Sequence, residues 1–383
     1  MRIAVVTSEF PPINAAASAR IGPWVHELDC RGHQINVFSS RGSKQMGRTK
    51  HYESRLAVPS NRVGIIRRFY QEMRLACDLG SGITKINNDL DGVVITSPPF
   101  FLATYIAKVS KKKKIPYLFD VRDRYPAVLF DLNIVSKKNP LGKILQWREK
   151  SCYEKSAMVS TVTKGLNAEM DSLKVLNKHV PNGYDGELFD PTLFKKKDKI
   201  FRVVYHGRFS RLHDINSLRQ ISLKVKALDP EIEFIIIGPI PDSERLKDWG
   251  NVNFTGEKDR IEIPSLLSDA SVGISLMQRM NSTKVAMPAK VYEYLGMGLP
   301  LLVAPDGELN DFVKLNQIGL AFEKTDHVII AESIVMLKSN RLRYANLQEQ
   351  VYSIRSKFDR RLQSIEFVDL IESTFAPFKK KFS

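Results

Sequence analysis

Two stretches carry residue types and spacings suited to chemistry on a phosphorylated ligand. The first is MPAKVYEYLGMGLP, residues 287–300. Pro288 and the Gly298-Leu299-Pro300 stop bracket a helix. Lys290 and Glu293, three apart, occupy neighbouring positions on its first turns. A helix N-terminus with a cation and a carboxylate, beside the strand-length run LLVAP, suits a phosphorylated, hydroxyl-rich ligand. An ordinary amphipathic helix with Lys and Glu turned to water is the open alternative. The second stretch is FRVVYHGRFSRLHDIN, residues 201–216. A strand ends at Tyr205, Gly207 makes a tight turn, Arg208 and Arg211 follow, and Asp214 is placed to cap a helix. Two guanidiniums and a helix N-terminus at a strand's end make a diphosphate cradle. Two surface arginines beside a loop are the plainer reading. The stretch is no Walker loop, because Gly-x4-Gly-Lys is absent. The first βα turn lacks Gly-x-Gly-x-x-Gly, which argues against a nicotinamide cofactor.

The elements that must position these residues form two βα series. RIAVVT, a helix from about Ala19 to Arg31 and QINVFSS open the chain as a βαβ unit. Residues 41–62 read as a long mobile loop. Residues 64–80 interleave Ile65, Ile66, Phe69, Tyr70 and Met73 with Arg67, Arg68 and Arg74 at helical spacing. Such a helix either lies at a membrane interface or packs on its own domain with arginines at the rim. GVVITSPP and IPYLFDVRDRYP are strands that place Ser97 and the Arg122-Asp123 pair at their carboxyl ends, where open α/β sheets gather ligands. A structural ion pair between Arg122 and Asp123 is equally compatible. VPNGYDGELFDPTLFKKKDKI, with its turns and lysine cluster, reads as a linker. FRVVYHGRF, EFIIIGPIP, NVNFTG and SVGISLM continue as a second series. The expected domains are 1–183, a linker 184–200, 201–357, and a C-terminal helix 358–383 returning to the first domain.

At 383 residues, two domains are the default. Cys30, Cys77 and Cys152 form neither a metal cluster nor a disulfide framework, which favours a reducing compartment. The N-terminus has no signal-peptide core, and no run is long and apolar enough to span a membrane. The net charge of +16 is uneven: residues 1–200 hold 33 Lys+Arg against 19 Asp+Glu, and residues 201–383 hold 25 against 23. The basic half points to an anionic partner, nucleic acid or an anionic membrane. Nucleic acid is disfavoured, because no aromatic stacking platform or reading helix appears.

Nine pieces in order carry a resemblance to a known family: SEFPP with Arg20 and RGH, ITSPP, FDVRDRYP, VPNGYDGELFDP, YHGRFSR, IIIGP, NVNFTG, MPAKVYEYLGMGLP and PDGE. The chain resembles glycosyltransferases of family 4, most closely the bacterial surface-polysaccharide branch that includes L-fucosamine-type transferases. The resemblance implies an α/β GT-B fold, two Rossmann-like domains facing a cleft, with the donor held by the C-terminal domain. It implies retaining, metal-independent transfer of a hexosyl or N-acetylhexosaminyl group from a nucleotide-diphospho-sugar, expected to be UDP-linked. The nucleotide-sugar is a substrate, so no cofactor is expected.

Carried onto this sequence, Arg208, with Arg211 beside it, would hold the diphosphate at the Gly207 turn. His213 stands where many relatives have Lys, so one phosphate cation is expected to be weaker or pH-dependent here. Lys290 would approach the phosphates or the sugar, and Glu293 the ribose hydroxyls. Gly238 and the backbone from Thr255 to Glu257 would meet the base, with Glu308 of PDGE also on the donor side. Asn14, Ala15, Ala16, Arg20, Ser97, Arg122 and Asp123 would face the sugar and acceptor; Arg208, Lys290, Glu293 and Asp123 are the catalytic candidates. Two departures stand out: Lys284 and Val285 replace an acidic residue, and Ala15-Ala16 replaces Gly-Gly. The implied acceptor is a lipid-linked oligosaccharide in capsule, O-antigen or related synthesis. The basic domain would then sit on the inner face of the cytoplasmic membrane. A GT-B sugar-nucleotide epimerase and a non-catalytic partner subunit are the alternatives.

Overall fold

A computed structural model describes the chain except for residues 14, 60–63, 87–89, 124, 197 and 380–383 and the side chain of Ile65. The chain divides into two units, Met1–Pro181 with Arg361–Ser383, and Asn182–Arg360. Each is built on one parallel sheet, as expected for the α/β class.

The first sheet comprises β1 (Arg2–Val6), β2 (Gln34–Ser39), β3 (Lys50–Glu53), β4 (Gly92–Ser97), β5 (Tyr117–Val121), β6 (Met158–Thr161) and β7 (Asn177–His179). Their order is β3-β2-β1-β4-β5-β6-β7, so the winding reverses between β1 and β4. β4 and β5 are buried along their whole length, which is why they read as continuous apolar runs rather than alternating ones. The loop expected over 41–62 contains β3. It lies at the sheet edge and pairs with β2 through backbone, so its polar residues, KHYE, gave no strand signal. The first helix is Ala16–Cys30, starting before the expected Ala19.

The second sheet comprises β8 (Arg202–His206), β9 (Glu233–Ile237), β10 (Val252–Gly256), β11 (Val272–Leu276), β12 (Leu301–Ala304) and β13 (Gly319–Ala321), in the order β10-β9-β8-β11-β12-β13. Successive residues feed opposite cores. Val204, Ile235 and Val303 join one cluster, and Val203, Phe234 and Leu302 the other. Both faces are therefore covered, and the ligand crevice of such a sheet lies at the β8/β11 reversal.

The expected linker 184–200 is corrected. Tyr184 and Phe189 are buried in the second unit's core, and the Tyr184 N–H donates to the Phe358 carbonyl at 2.9 Å. Turn-forming residues dominated the composition there and hid two buried aromatics. The C-terminal helix Arg360–Phe375 packs within the first unit, where Phe367 stacks on Trp24 at 3.7 Å and Arg31 meets Asp369 and Glu372.

Arg20, expected to face the acceptor, is buried instead. Its guanidinium donates to Asp120 at 3.0 and 3.3 Å and to the carbonyls of Val180 and Pro181 at 3.0 Å, under the ring of Trp24. Asp120, also fully buried, accepts from Ser160 Oγ at 2.8 Å. Removing one member of a buried pair strands the other charge. Arg20→Leu should therefore lower the first unit's unfolding free energy by about 3–5 kcal/mol in urea denaturation. A loss below about 1 kcal/mol would contradict a structural role.

Candidate donor site of the second unit

The site begins at the carboxyl end of β8. Gly207 follows at φ +123°, and a side chain there would sit 3.4 Å from Lys290 Nζ. The turn thus requires glycine for its backbone, and the lysine lies within contact distance of it. The Gly207 N–H donates to the Ile237 carbonyl at 2.8 Å and the Gly238 N–H to the Gly256 carbonyl at 2.9 Å. Gly238, at φ +138°, lies so close that a Cβ would stand 2.4 Å from the Gly207 carbonyl oxygen. The turns after β8, β9 and β10 are thereby stacked. Asp214 caps the helix Ile215–Leu228, accepting from the Ser217 N–H at 3.1 Å.

The helix Ala289–Gly296 starts after Pro288, and every residue from Lys290 to Gly296 is buried. Gly298, at φ +73°, follows its end. The hydroxyl of Tyr294 accepts the His206 N–H at 2.7 Å, which fixes the helix to the end of β8. Lys290 consequently lies with Nζ 3.8 Å from the centre of the Tyr205 ring. Its ammonium is buried with no hydrogen-bond partner, and burial lowers its pKa to about 7, against the pull of Glu293.

Glu293, one turn along, has His206 Nδ1 at 3.0 Å from one oxygen and Arg260 Nη1 at 3.7 Å from the other. Burial opposes its charge, but His206 and the guanidiniums of Arg260 and Arg360 outweigh it and hold the carboxyl below its ordinary range. Arg260 Nη2 and His213 Nε2 are, like Lys290 Nζ, buried and unpartnered. Such unpartnered buried atoms are unusual, because buried polar groups are normally satisfied.

Lys290, Glu293, Gly207, Gly238 and His213 are therefore brought together around the β8/β11 reversal, and the plainer reading of a Lys–Glu pair facing water is excluded. His213 is a weaker cation than a lysine there. Burial, with Lys290 nearby, lowers its pKa to about 3, so the ring is neutral, with Nδ1 2.8 Å from Ser210 Oγ. Arg208 is 71% exposed and meets Glu257 at 3.7 Å; Arg211 is exposed as well. Glu308 opens the helix Glu308–Asn316 after Gly307, whose turn abuts the backbone of Lys284. Tyr205, His206, Arg260 and Tyr294 were not singled out from sequence. His206 and Tyr205 adjoin the Gly207 turn, a signal that could have found them; nothing in EKDRIEIP marks Arg260.

In the first unit, Arg122 donates to Thr96 Oγ1 at 2.9 Å and to the Pro98 carbonyl at 2.5 Å, and its N–H to the Ser97 carbonyl. Ser97 is buried at the end of β4, and the Asp123 side chain is exposed. Ala15 caps the first helix with no side-chain bond and Ala16 begins it; Asn14 lies outside the described residues. Among the described residues no group of three His, Cys, Asp or Glu is placed to hold a metal ion, and no helix is long and apolar enough to cross a membrane.

Residues 187–353 match the family model described as Glycosyl transferases group 1. No curated protein matches the chain. Among solved structures, sucrose-phosphate synthase from Thermosynechococcus elongatus superimposes with a TM-score of 0.71 at 14% identity, covering 98% of this chain and 99% of that one. Anabaena HepE in complex with UDP and glucose gives 0.68 at 14% identity, covering 97% and 100%. WaaG, a glycosyltransferase involved in lipopolysaccharide biosynthesis, gives 0.71 at 11% identity, covering 96% and 99%. These likenesses establish the GT-B fold.

Lys290 also makes stability depend on pH. Between about pH 7 and the ordinary lysine value of 10.5, the unfolded chain binds a proton that the folded chain does not. Stability therefore rises with pH across that window, and the burial penalty is complete below it. At pH 6 Lys290→Met should exceed the wild type by about 1–4 kcal/mol in denaturation, with the gap closing toward pH 10. A gap independent of pH would remove Lys290 from this account.

Proposed function

We propose that the chain is a retaining glycosyltransferase that moves a sugar from a nucleotide-diphospho-sugar, UDP-linked, to a lipid-linked oligosaccharide in capsule, O-antigen or related polysaccharide synthesis. The observation that carries the donor side is the buried, unpartnered ammonium of Lys290 against Gly207 and the Tyr205 ring. An anionic diphosphate at the Gly207 turn would supply the acceptor that this ammonium lacks. The complexes of HepE with UDP and UDP-glucose support a uridine nucleotide by analogy. WaaG's part in lipopolysaccharide biosynthesis supports a surface-polysaccharide acceptor in the same way.

In this reading Lys290 and Arg208 face the leaving diphosphate, where negative charge grows as the glycosyl–phosphate bond breaks. Cations fixed there stabilise the transition state more than the ground state. The acceptor hydroxyl forms the new glycosidic bond, and its proton passes to the departing phosphate oxygen, so no pair of catalytic carboxylates is required. Glu293, held ionised between His206 and Arg260, accepts hydrogen bonds from the ribose. The basic first unit meets an anionic membrane where a polyprenyl-linked acceptor resides.

Incubation with bacterial membranes and a panel of UDP-, GDP- and dTDP-sugars tests the activity. Sugar transfer to lipid supports the proposal. Interconversion of UDP-sugars supports an epimerase instead, and binding without turnover a partner subunit. Arg208→Ala and Glu293→Gln should each remove most activity with the circular dichroism unchanged; full activity in either sinks that assignment. Binding of UDP at pH 8 should restore the Lys290 ammonium and take up a proton, visible by calorimetry in buffers of different ionisation enthalpy. Binding with no proton uptake would place the diphosphate elsewhere.

A further inference from the structure

The helix Pro140–Glu154 connects β5 to β6 and is capped by Asn139, which accepts the Gly142 N–H at 2.7 Å. Leu145, Cys152 and Tyr153 face inward. Leu141, Ile144 and Trp147, at i, i+3 and i+6, are instead exposed by 54–67%, a stripe that the fold leaves uncovered. Lys143 and Lys150 flank it on one side, Arg148 follows one turn after Ile144, and Lys137 and Lys138 precede it. Residues 137–154 hold five Lys and Arg against Glu149 and Glu154, and Glu154 pairs with Lys150, so the segment keeps an excess of positive charge.

Topology adds the position. In right-handed parallel βα units each helix starts at its strand's carboxyl end. The stripe lies in the first half of its helix, as do the exposed Ile66, Phe69 and Tyr70 of the helix Ile65–Lys85. Both apolar groups therefore gather at the end of the first sheet where Ser97 and Asp123 also sit.

We propose that the face of Leu141, Ile144 and Trp147 is a membrane-docking surface that inserts into the headgroup layer of an anionic bilayer. The proposal rests on the reading that the first unit meets such a membrane, and it names the helix that enters. Large apolar side chains including Trp, rimmed by cations, match the interface of an anionic leaflet. A second copy fits less well, because an isologous contact would set lysine rims against each other. The docked surface would hold the carboxyl end of β4 and β5 toward the bilayer, where a lipid-linked acceptor presents its saccharide.

The full chain carries its own reporter. Trp24 and Trp249 are buried, so a change in tryptophan emission on binding reads Trp147. Vesicles of phosphatidylcholine with about 30% phosphatidylglycerol should bind the protein and shift its emission to the blue, and phosphatidylcholine alone should bind far less. Leu141→Ser/Ile144→Ser/Trp147→Ser should weaken binding at least about tenfold in vesicle sedimentation. Its melting profile should be unchanged, because these side chains are exposed. Should the triple variant misfold, Ile144→Gln alone should still weaken binding about threefold while keeping Trp147 as the reporter. Wild-type-like binding by a folded variant, or no emission shift in the wild type, overturns the proposal. A concentration-dependent dimer that the variant abolishes assigns the face to a second copy and also overturns it. No sugar nucleotide is present, so loss of UDP binding in a separate titration would refute the donor reading and leave this surface standing.

Discussion

The Lys290 ammonium lies in the interior without a hydrogen-bond acceptor, and burying a charge in that way is costly. The rest of the second unit is arranged so that this position holds. The Gly207 turn lies beside the lysine, the Tyr205 ring offers its face, and the Tyr294 hydroxyl locks the carrying helix to β8. Gly273 extends the same constraint into the sheet, because a Cβ there would collide with the Tyr294 ring at 2.3 Å. Packing thus dictates where the ammonium sits, and no internal carboxylate neutralises it by direct contact. A group held charged-or-neutral on so fine a balance responds to whatever anion arrives.

Glu293 shows the opposite arrangement. It is as buried as Lys290, yet His206 and the guanidiniums of Arg260 and Arg360 keep it ionised. A carboxylate whose pKa is held down is a poor general base and a good hydrogen-bond acceptor. That is the physical reason for giving it the ribose rather than the acceptor proton. Neutral His213 completes the contrast: in place of a charge it offers one ring nitrogen bonded to Ser210 and one without a partner. With no second buried cation there, phosphate charge would fall chiefly on Lys290 and on the exposed Arg208.

The features legible in the sequence were those encoded locally. Pro288 and Gly298 mark the ends of one helix, Gly207 marks a turn, and Asp214 marks a cap, each through backbone geometry within a few residues. The apolar runs of β4, β5 and β9 likewise announce strands covered on both faces. What stayed hidden depends on partners distant in sequence. Arg20 reads as a free cation until Asp120, 100 positions away, closes on it. Arg260 reaches Glu293 across 33 residues, and Tyr184 forms a backbone bridge with Asp359. The edge strand β3 escaped for a different reason: its exposed side chains are polar, and only backbone pairing defines it.

The two units also deploy charge in physically different ways. In the second, a few ionisable groups are buried, where they are screened little by salt and are felt strongly over short distances. In the first, most of the excess Lys and Arg is exposed, where each charge is screened within about 8 Å at physiological ionic strength and acts only collectively on an extended anionic surface. A compact diphosphate is best recognised by the first kind of charge and a lipid leaflet by the second. Arg20 marks the boundary between the two uses. It is a cation of the basic unit that is buried, and there Asp120 and two carbonyls answer it completely, leaving it structural. Lys290 is buried with no such answer, and that difference separates a site from a scaffold.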